Sequence, residues 1–252
     1  REIDALGGLM GLVTDETGIQ FRMLNRRKGP AVWAPRAQAD SRLYGATLSR
    51  YLESCPNLTI IEAGVDALLA DPPDPGGRRH ISGVVLDDGR TLRSGAVVVA
   101  AGTFLRGLMH TGEEQTPGGR VGEPPAQRLS AALQALGIEL RRLKTGTPPR
   151  VARDSIDFSG LPEQRGDERP VPFSFLTRQI TQPQVPCWLT ATNDAVHALI
   201  RANLYRAPLY TGQIASTGPR YCPSLETKIL RFPDKRQHQV YLEPEGRDSD
   251  RI

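Results

Sequence analysis

The densest group of residues able to do chemistry is Gly218-Pro219-Arg220-Tyr221-Cys222-Pro223-Ser224-Leu225-Glu226-Thr227-Lys228, a thiol set directly before a proline with a cation on either side. Proline favours the first position of a helix, which puts Cys222 at the N-cap. There the positive helix end, Arg220 and Lys228 all lower a thiol pKa. A thiolate in that setting is a nucleophile suited to covalent catalysis. The competing reading makes Cys222 a small buried apolar residue and Arg220 a surface ion-pair donor. Cys55 and Cys187 take that second reading: Cys55 ends an amphipathic helix, Cys187 lies between Pro186 and Trp188, and neither has a cation beside it.

His80, His110, His197 and His238 are scattered without metal-ligand spacing, so a metal site is not expected, and a solvated or capping role is assigned to each. Gly118-Gly119-Arg120-Val121-Gly122 and Thr145-Gly146-Thr147-Pro148-Pro149-Arg150 are glycine loops that suit the approach of a phosphate or base to the backbone, although loop glycines more often serve turns. No G-x-G-x-x-G and no G-x-x-x-x-G-K-[ST] occurs, so the residues alone carry no dinucleotide fingerprint. The basic groups Arg26-Arg27-Lys28, Arg78-Arg79, Arg141-Arg142 with Lys144, and Lys228, Arg231, Lys235, Arg236 suit a phosphate backbone, and Trp33, Tyr205, Tyr210 and Tyr221 suit stacking on bases. Taken singly, each basic group is by default solvated surface.

The elements that must position these residues follow from periodicity. Ala37, Tyr44, Leu48, Tyr51 and Leu52 predict a helix between Arg36 and Cys55, broken by Pro56-Asn57. Leu58 to Ile61, Val65 to Leu69, Ile81 to Leu86 and Ala96 to Ala101 read as strands, separated by a Pro/Gly loop from Asp71 to Arg79 and an Asp88-Gly89 turn. The fully apolar run Val97-Val98-Val99-Ala100-Ala101 suits the middle of an α/β sheet, which puts Gly102-Thr103 beside a ligand site at the strand's carboxyl end. Leu129, Leu133 and Leu136 mark a short helix closed by Gly137, followed by a strand from Ile138 to Lys144. From Thr145 to Pro186 repeated prolines deny long regular elements. Asn193 is the expected N-cap of a helix with Val196, Leu199, Ile200 and Leu204 on one face, and His238 opens a strand-like run.

Composition bounds the rest. The 252 residues are 38% apolar, enough for a sizeable core in one domain or two, and 32 basic against 28 acidic side chains fit a polyanionic partner without requiring one. Three cysteines without a C-x-x-C pair suit a reducing compartment and not a disulfide framework. The longest apolar run is too short to span a bilayer, so no membrane association is expected. The chain opens at Arg1 and stops in a charged string, which leads us to expect an internal stretch of a longer protein.

Eight strings carry a resemblance that runs the length of the chain. They are Glu2-Ile3-Asp4-Ala5-Leu6-Gly7-Gly8, Gly18-Ile19-Gln20-Phe21-Arg22, Lys28-Gly29-Pro30-Ala31-Val32, Arg36-Ala37-Gln38-Ala39-Asp40, Gly102-Thr103-Phe104-Leu105, Leu143 to Arg150, Gly218 to Ser224 and Leu242-Glu243-Pro244-Glu245-Gly246. In this order they resemble the MnmG (GidA) family of tRNA-uridine-modifying enzymes. The resemblance implies an α/β fold: a glutathione-reductase-like, Rossmann-type FAD-binding domain, incomplete here, with an inserted α+β nucleotide-binding region. The corresponding division is residues 1–144 for the FAD domain with its β-meander, 145–232 for the inserted NAD-binding and substrate region, and 233–252 for a return to the FAD domain.

The same resemblance implies modification of the wobble uridine of tRNA, using FAD, NADH and a methylene-tetrahydrofolate carbon. It implies the GTPase MnmE as partner, a homodimer in the full-length protein, and bacterial cytoplasm or a mitochondrial matrix as location. Position by position, Cys222 looks like the family's catalytic cysteine, assisted by Arg220, and Gly218, Pro219, Arg220, Tyr221, Cys222, Pro223, Ser224, Leu225, Glu226, Thr227, Lys228, Ile229, Leu230, Arg231 and Phe232 fall on the family's NAD-contacting stretch. Val65 resembles a position whose backbone meets FAD, and Ala126 stands where relatives have an FAD-contacting Ser. Ser41 and Ala198 also depart from the family pattern, the first where Arg is usual and the second where an acidic residue often follows the helix histidine. The related folate- and FAD-dependent tRNA uridine methyltransferases are the alternative among enzymes, and a non-catalytic tRNA-binding module the alternative outside them.

Overall fold

The structure is a computed structural model that describes residues 2–214 and 223–252. Six α-helices and ten strands occur among these residues: α1 (Glu2–Ala5), α2 (Met10–Thr17), β1 (Gly18–Leu24), β2 (Ala34–Ala39), α3 (Ser41–Glu53), β3 (Val65–Ala70), β4 (Ile81–Leu86), β5 (Thr91–Arg93), β6 (Leu108–Thr111), β7 (Glu114–Pro117), α4 (Leu129–Ala135), β8 (Glu163–Gln164), β9 (Cys187–Ala191), α5 (Asp194–Ala202), α6 (Leu225–Arg231) and β10 (Gln239–Leu242). They fall into two compact units. Unit 1 comprises residues 1–59, 147–197 and 231–252, and unit 2 residues 60–146 and 198–230.

In unit 1, β1 and β2 form an antiparallel hairpin whose inner residues Ile19 and Phe21 are buried with Val13 of α2. The free edge of β1 is closed by the proline-rich stretch without a regular ladder: Val185 N–H donates to Ile19 O at 2.7 Å, Asp167 N–H to Phe21 O at 2.8 Å, and Phe21 N–H to the Gln184 side chain at 2.8 Å. Prolines remove ladder donors, so the pairing is sparse and the Gln184 side chain supplies one of its partners. Asp15, buried at the end of α2, accepts from Phe173 N–H and Ser174 N–H at 2.8 Å each. A second sheet, in the order β10-β9-β8, seats Cys187 and Trp188 in the core, with Trp188 against Phe158.

The helix expected between Arg36 and Cys55 starts five residues later. Residues 34–39 pair with β1, and Asp40 caps α3 by accepting from Arg42 N–H and Leu43 N–H. Tyr44, Thr47, Leu48, Tyr51 and Leu52 form its inward side.

Unit 2 holds the expected meander, β3-β4-β5, with the Asp88-Gly89 turn between β4 and β5. Gly89 adopts φ +86°, the left-handed region such a turn requires. Helix α4 buries Leu129 and Leu133 and closes through Gly137 at φ +87°, with Ile138 N–H donating back to Leu133 O at 3.2 Å. Three expected strands are absent as ladders. Leu58 to Ile61, Ala96 to Ala101 and Ile138 to Lys144 have no regular pairing, and Val98 is 91% exposed. β-Branched composition favours an extended backbone, but a strand also needs a neighbour for its N–H and C=O groups, and no described segment forms a ladder with these runs.

Candidate functional site

The chemistry-bearing motif is described from Pro223 onward. Gly218, Pro219, Arg220, Tyr221 and Cys222 lie outside the described residues. Helix α6 begins at Leu225, with Ser224 capping it: the Ser224 hydroxyl accepts from Thr227 N–H at 3.3 Å and its carbonyl from Lys228 N–H at 3.0 Å. The helix thus opens at Leu225 and not at the expected Pro223, with a serine oxygen on the Thr227 N–H, and the capping role expected of Cys222 lies outside the described residues. In unit 2, Thr227 ties the turn together, its hydroxyl within 3.1 Å of both Ser224 Oγ and Tyr210 Oη. Ile229 is fully buried, while Glu226 and Lys228 are half-buried and Leu230 is exposed. In unit 1, Arg231 and Phe232 are exposed, and Lys235 Nζ lies 5.2 Å from the Phe232 ring centre.

Val65 and Ala126 share one locality in unit 2. Asp66, next to Val65, accepts from the Arg128 guanidinium at 2.6 Å, and Arg128 is two residues beyond Ala126. Ala126 bridges Leu105 in parallel: its N–H donates to Phe104 O and its carbonyl accepts from Arg106 N–H, both at 2.9 Å. With no hydroxyl and its N–H already used, Ala126 can meet a ligand through its methyl group or the second lone pair of its carbonyl. Close by, Gly102 holds φ +56° with open space where a side chain would point. Gly119 is different, since a Cβ there would lie 2.7 Å from Phe104 Cα, and Thr103 Oγ1 donates to Gly119 O at 2.9 Å. The glycines at 118 and 119 thus serve close loop packing, the ordinary role weighed against phosphate approach.

Unit 1 contains a network that sequence reading left unconnected. The Arg36 guanidinium donates to Glu243, Gln38 donates to Pro244 O at 2.9 Å, and Cys187 Sγ donates to Gln38 Oε1 at 3.2 Å. Asp40 accepts from Arg247 N–H at 2.9 Å as well as capping α3, Ser41 N–H donates to Glu245 O at 3.1 Å, and Arg150 pairs with Glu245. A Cβ at Gly246 would come within 2.6 Å of Asp40 Oδ2, so any larger residue there would displace the carboxylate. The strings Arg36 to Asp40, Pro148 to Arg150 and Leu242 to Gly246 thereby converge. Their spacing offered no signal of this beyond the alternation of charged and amide side chains on what proved to be β2.

Burial pushes the Cys187 thiol up to about 11, with Glu243 adding and Arg36 opposing. It is a buried, unactivated thiol, as the sequence indicated. Cys55 is exposed, contrary to a buried apolar role, because α3 ends at Glu53 and the chain turns outward. Burial alone would raise the Asp40 pKa, but backbone donation from Leu43, Arg247 and Arg42 outweighs it and holds the carboxyl below its ordinary value.

The solvated or capping role assigned to His197 and His238 is corrected. Both are buried, their rings 5.3 Å apart, with Thr192 Oγ1 2.7 Å from His197 Nε2 and accepting from His238 N–H at 2.9 Å. Asn193 caps α5 as expected, its side chain accepting from Val196 N–H at 2.9 Å. It is His197, and not Leu199, that turns inward. Among the described residues no group of histidine, cysteine and carboxylate side chains is arranged to hold a metal, and no helix is long and apolar enough to cross a membrane.

Comparison with known proteins shows what the chain is similar to. The family model for glucose inhibited division protein A matches residues 1–252. A protein of Thermodesulfovibrio yellowstonii named tRNA uridine 5-carboxymethylaminomethyl modification enzyme MnmG is 50% identical over 246 residues, covering 98% of this chain and 38% of the relative. A Rhodopirellula baltica protein of the same name is 51% identical over 253 residues, covering 99% and 39%. The chain thus spans about two fifths of the length of these relatives. The structure of Aquifex aeolicus GidA in its form I crystal superposes with a TM-score of 0.89 at 45% identity, over all of this chain and 42% of that one. The fold is therefore the α/β fold of GidA, and the chain belongs to the glucose inhibited division protein A family.

Proposed function

We propose that this chain is part of an enzyme that modifies the wobble uridine of tRNA to its 5-carboxymethylaminomethyl form. The observation that carries the reading is identity near one half along the whole chain to enzymes named for that reaction. The partners that go with it are tRNA, a GTPase of the MnmE type and a second copy of the full-length protein, in the cytoplasm. The division into an FAD domain (1–144), an NAD and substrate region (145–232) and a return to the FAD domain (233–252) belongs to the same proposal.

The residues present suit FAD at one place. Val65 and Ala126 are joined through the Asp66–Arg128 pair, and Gly102 leaves its Cβ direction open to a close-lying group. Bound there, FAD, with NADH as its reductant, would supply the redox chemistry through which a carbon from methylene-tetrahydrofolate is activated. Val65 and Ala126 would contact it through main chain and methyl, and the stretch Gly218 to Phe232 would meet the nicotinamide nucleotide.

The pyrimidine carbon to be modified is a poor nucleophile. Addition of the Cys222 thiolate to the neighbouring ring carbon moves the double-bond electrons toward the target carbon and its carbonyl, giving an enolate that Arg220 stabilises. After the new carbon–carbon bond forms, loss of the ring proton expels the thiolate and restores the double bond. The test is Cys222→Ser in the full-length protein, with digested tRNA read by mass spectrometry. Loss of modified uridine with flavin content intact supports the assignment, and undiminished modification overturns it.

A further inference from the structure

We propose that the β1–β2 connection, residues 24–35, is a preformed platform for an unpaired RNA loop, with Trp33 stacking on a base and Arg27 and Lys28 on the flanking phosphates. The proposal rests on the tRNA reading above and assigns a surface for that substrate outside the Cys222 motif.

Three observations carry it. First, the connection has a built conformation. Asn25 takes the left-handed region at φ +60° and Gly29 lies at φ +97°, and the loop is laced by Lys28 N–H to Asn25 O at 2.8 Å, Asn25 Nδ2 to Val32 O at 3.2 Å and Trp33 Nε1 to Arg26 O at 3.3 Å. A loop that holds its own shape loses little entropy on binding.

Second, Trp33 is 48% exposed although its only polar atom is spent inside the loop. What remains exposed is apolar ring. A large aromatic displayed beside cations and kept out of the core matches the way proteins take unpaired bases.

Third, the charge is one-sided. From Gly18 to Ala39 the chain carries Arg22, Arg26, Arg27, Lys28 and Arg36 and no acidic residue. Two of these cations are matched from elsewhere in unit 1, Arg26 by Asp167 at 2.8 Å and Arg36 by Glu243. Arg22 stands directly opposite Arg36 across the ladder, a like-charge pair for which Glu243 is the counter-anion. Arg27 and Lys28 are exposed and have no acidic partner among the described residues. The loop therefore offers uncompensated cations next to a bare aromatic, which favours a polyanion bearing flat rings over an acidic protein surface.

The test titrates the full chain with a synthetic RNA hairpin whose loop contains uridine, following tryptophan emission and repeating the titration across a salt series. Trp188 is buried against Phe158, so a change in emission reports Trp33. Trp33→Ala should weaken binding about tenfold and abolish the emission change, with Trp33→Phe recovering most of the affinity. Arg27→Gln with Lys28→Gln should reduce the slope of log affinity against log salt by about 1.4, two phosphates' worth for a single strand. RNA binding that none of these variants alters overturns this inference and leaves the function standing. A chain that binds no RNA at all overturns the platform, while the wobble-uridine reading stands or falls on uridine modification by the full-length protein. Equal, variant-sensitive binding of polyglutamate assigns the surface to an acidic protein and overturns the RNA platform.

Discussion

Asp40 joins two segments distant in sequence, and its removal has a cost that the geometry fixes. Its Oδ1 accepts from Arg42 N–H at 3.1 Å and Leu43 N–H at 3.0 Å, while Oδ2 accepts from Arg247 N–H at 2.9 Å. Losing an N-cap costs about 1 kcal/mol, and losing the bond to Arg247 about 1 kcal/mol more. Asp40→Ala should therefore destabilise unit 1 by about 2 kcal/mol, which in a chain of this size lowers the melting midpoint by about 4–8 °C. Asp40→Asn keeps the cap oxygen and turns its amide nitrogen toward Arg247 N–H, so it should cost about half as much. The assay is urea unfolding followed by Trp188 emission, with both variants against the parent.

The acid dependence has a definite sign. A carboxyl whose folded pKa lies below its unfolded value of 3.8 contributes fully above that value and loses its contribution as pH falls through the folded pKa. The gap between parent and Asp40→Asn should accordingly be full near neutrality, begin to shrink below about pH 4 and vanish once pH has fallen past the lowered folded pKa. A cost under about 0.5 kcal/mol for Asp40→Ala, or equal costs for the two variants, would refute the capping and bridging roles.

Three further outcomes follow from the same structure. Iodoacetamide at neutral pH should label exposed Cys55 well before buried Cys187, as peptide mass spectrometry will show; because the Cys187 pKa is raised from 9.0 to about 11, stability should also fall as pH climbs through that interval, and Cys187→Ala should flatten the fall. Gly119→Ala forces a Cβ to within 2.7 Å of Phe104 Cα, a backbone atom that cannot swing aside, and should cost about 1–3 kcal/mol in denaturant unfolding. Thr192→Val keeps the volume but strips the hydroxyl that meets His197 Nε2 and His238 N–H; about 1–3 kcal/mol should be lost, and a smaller loss would mean the two groups find other partners.

What the sequence made legible was local. The Asp88-Gly89 turn, the Gly137 terminus, the Asn193 cap and the irregularity imposed by prolines each rest on a preference expressed within a few residues. The β9–β10 ladder joins Cys187–Ala191 to residues some fifty positions later, and no local signal pairs them. The runs at Leu58 and Ala96 show the converse, since apolar β-branched composition speaks for extension and not for a partner. His197 was misread because its burial depends on Thr192 and His238, neither of which lies on its own helix. At the candidate site, Val65 and Ala126 were placed by resemblance, and the Asp66–Arg128 contact together with the packing of α4 on β3 brings them to one locality. The network of Arg36, Gln38, Asp40 and Glu243 was present in the sequence only as two unrelated strings.

The most direct test of the central claim is nucleoside mass spectrometry of tRNA from the source cell with this gene disrupted and then restored. The account predicts that 5-carboxymethylaminomethyl uridine and its derivatives disappear on disruption and return with the intact gene. Unchanged levels of these nucleosides after disruption would contradict it.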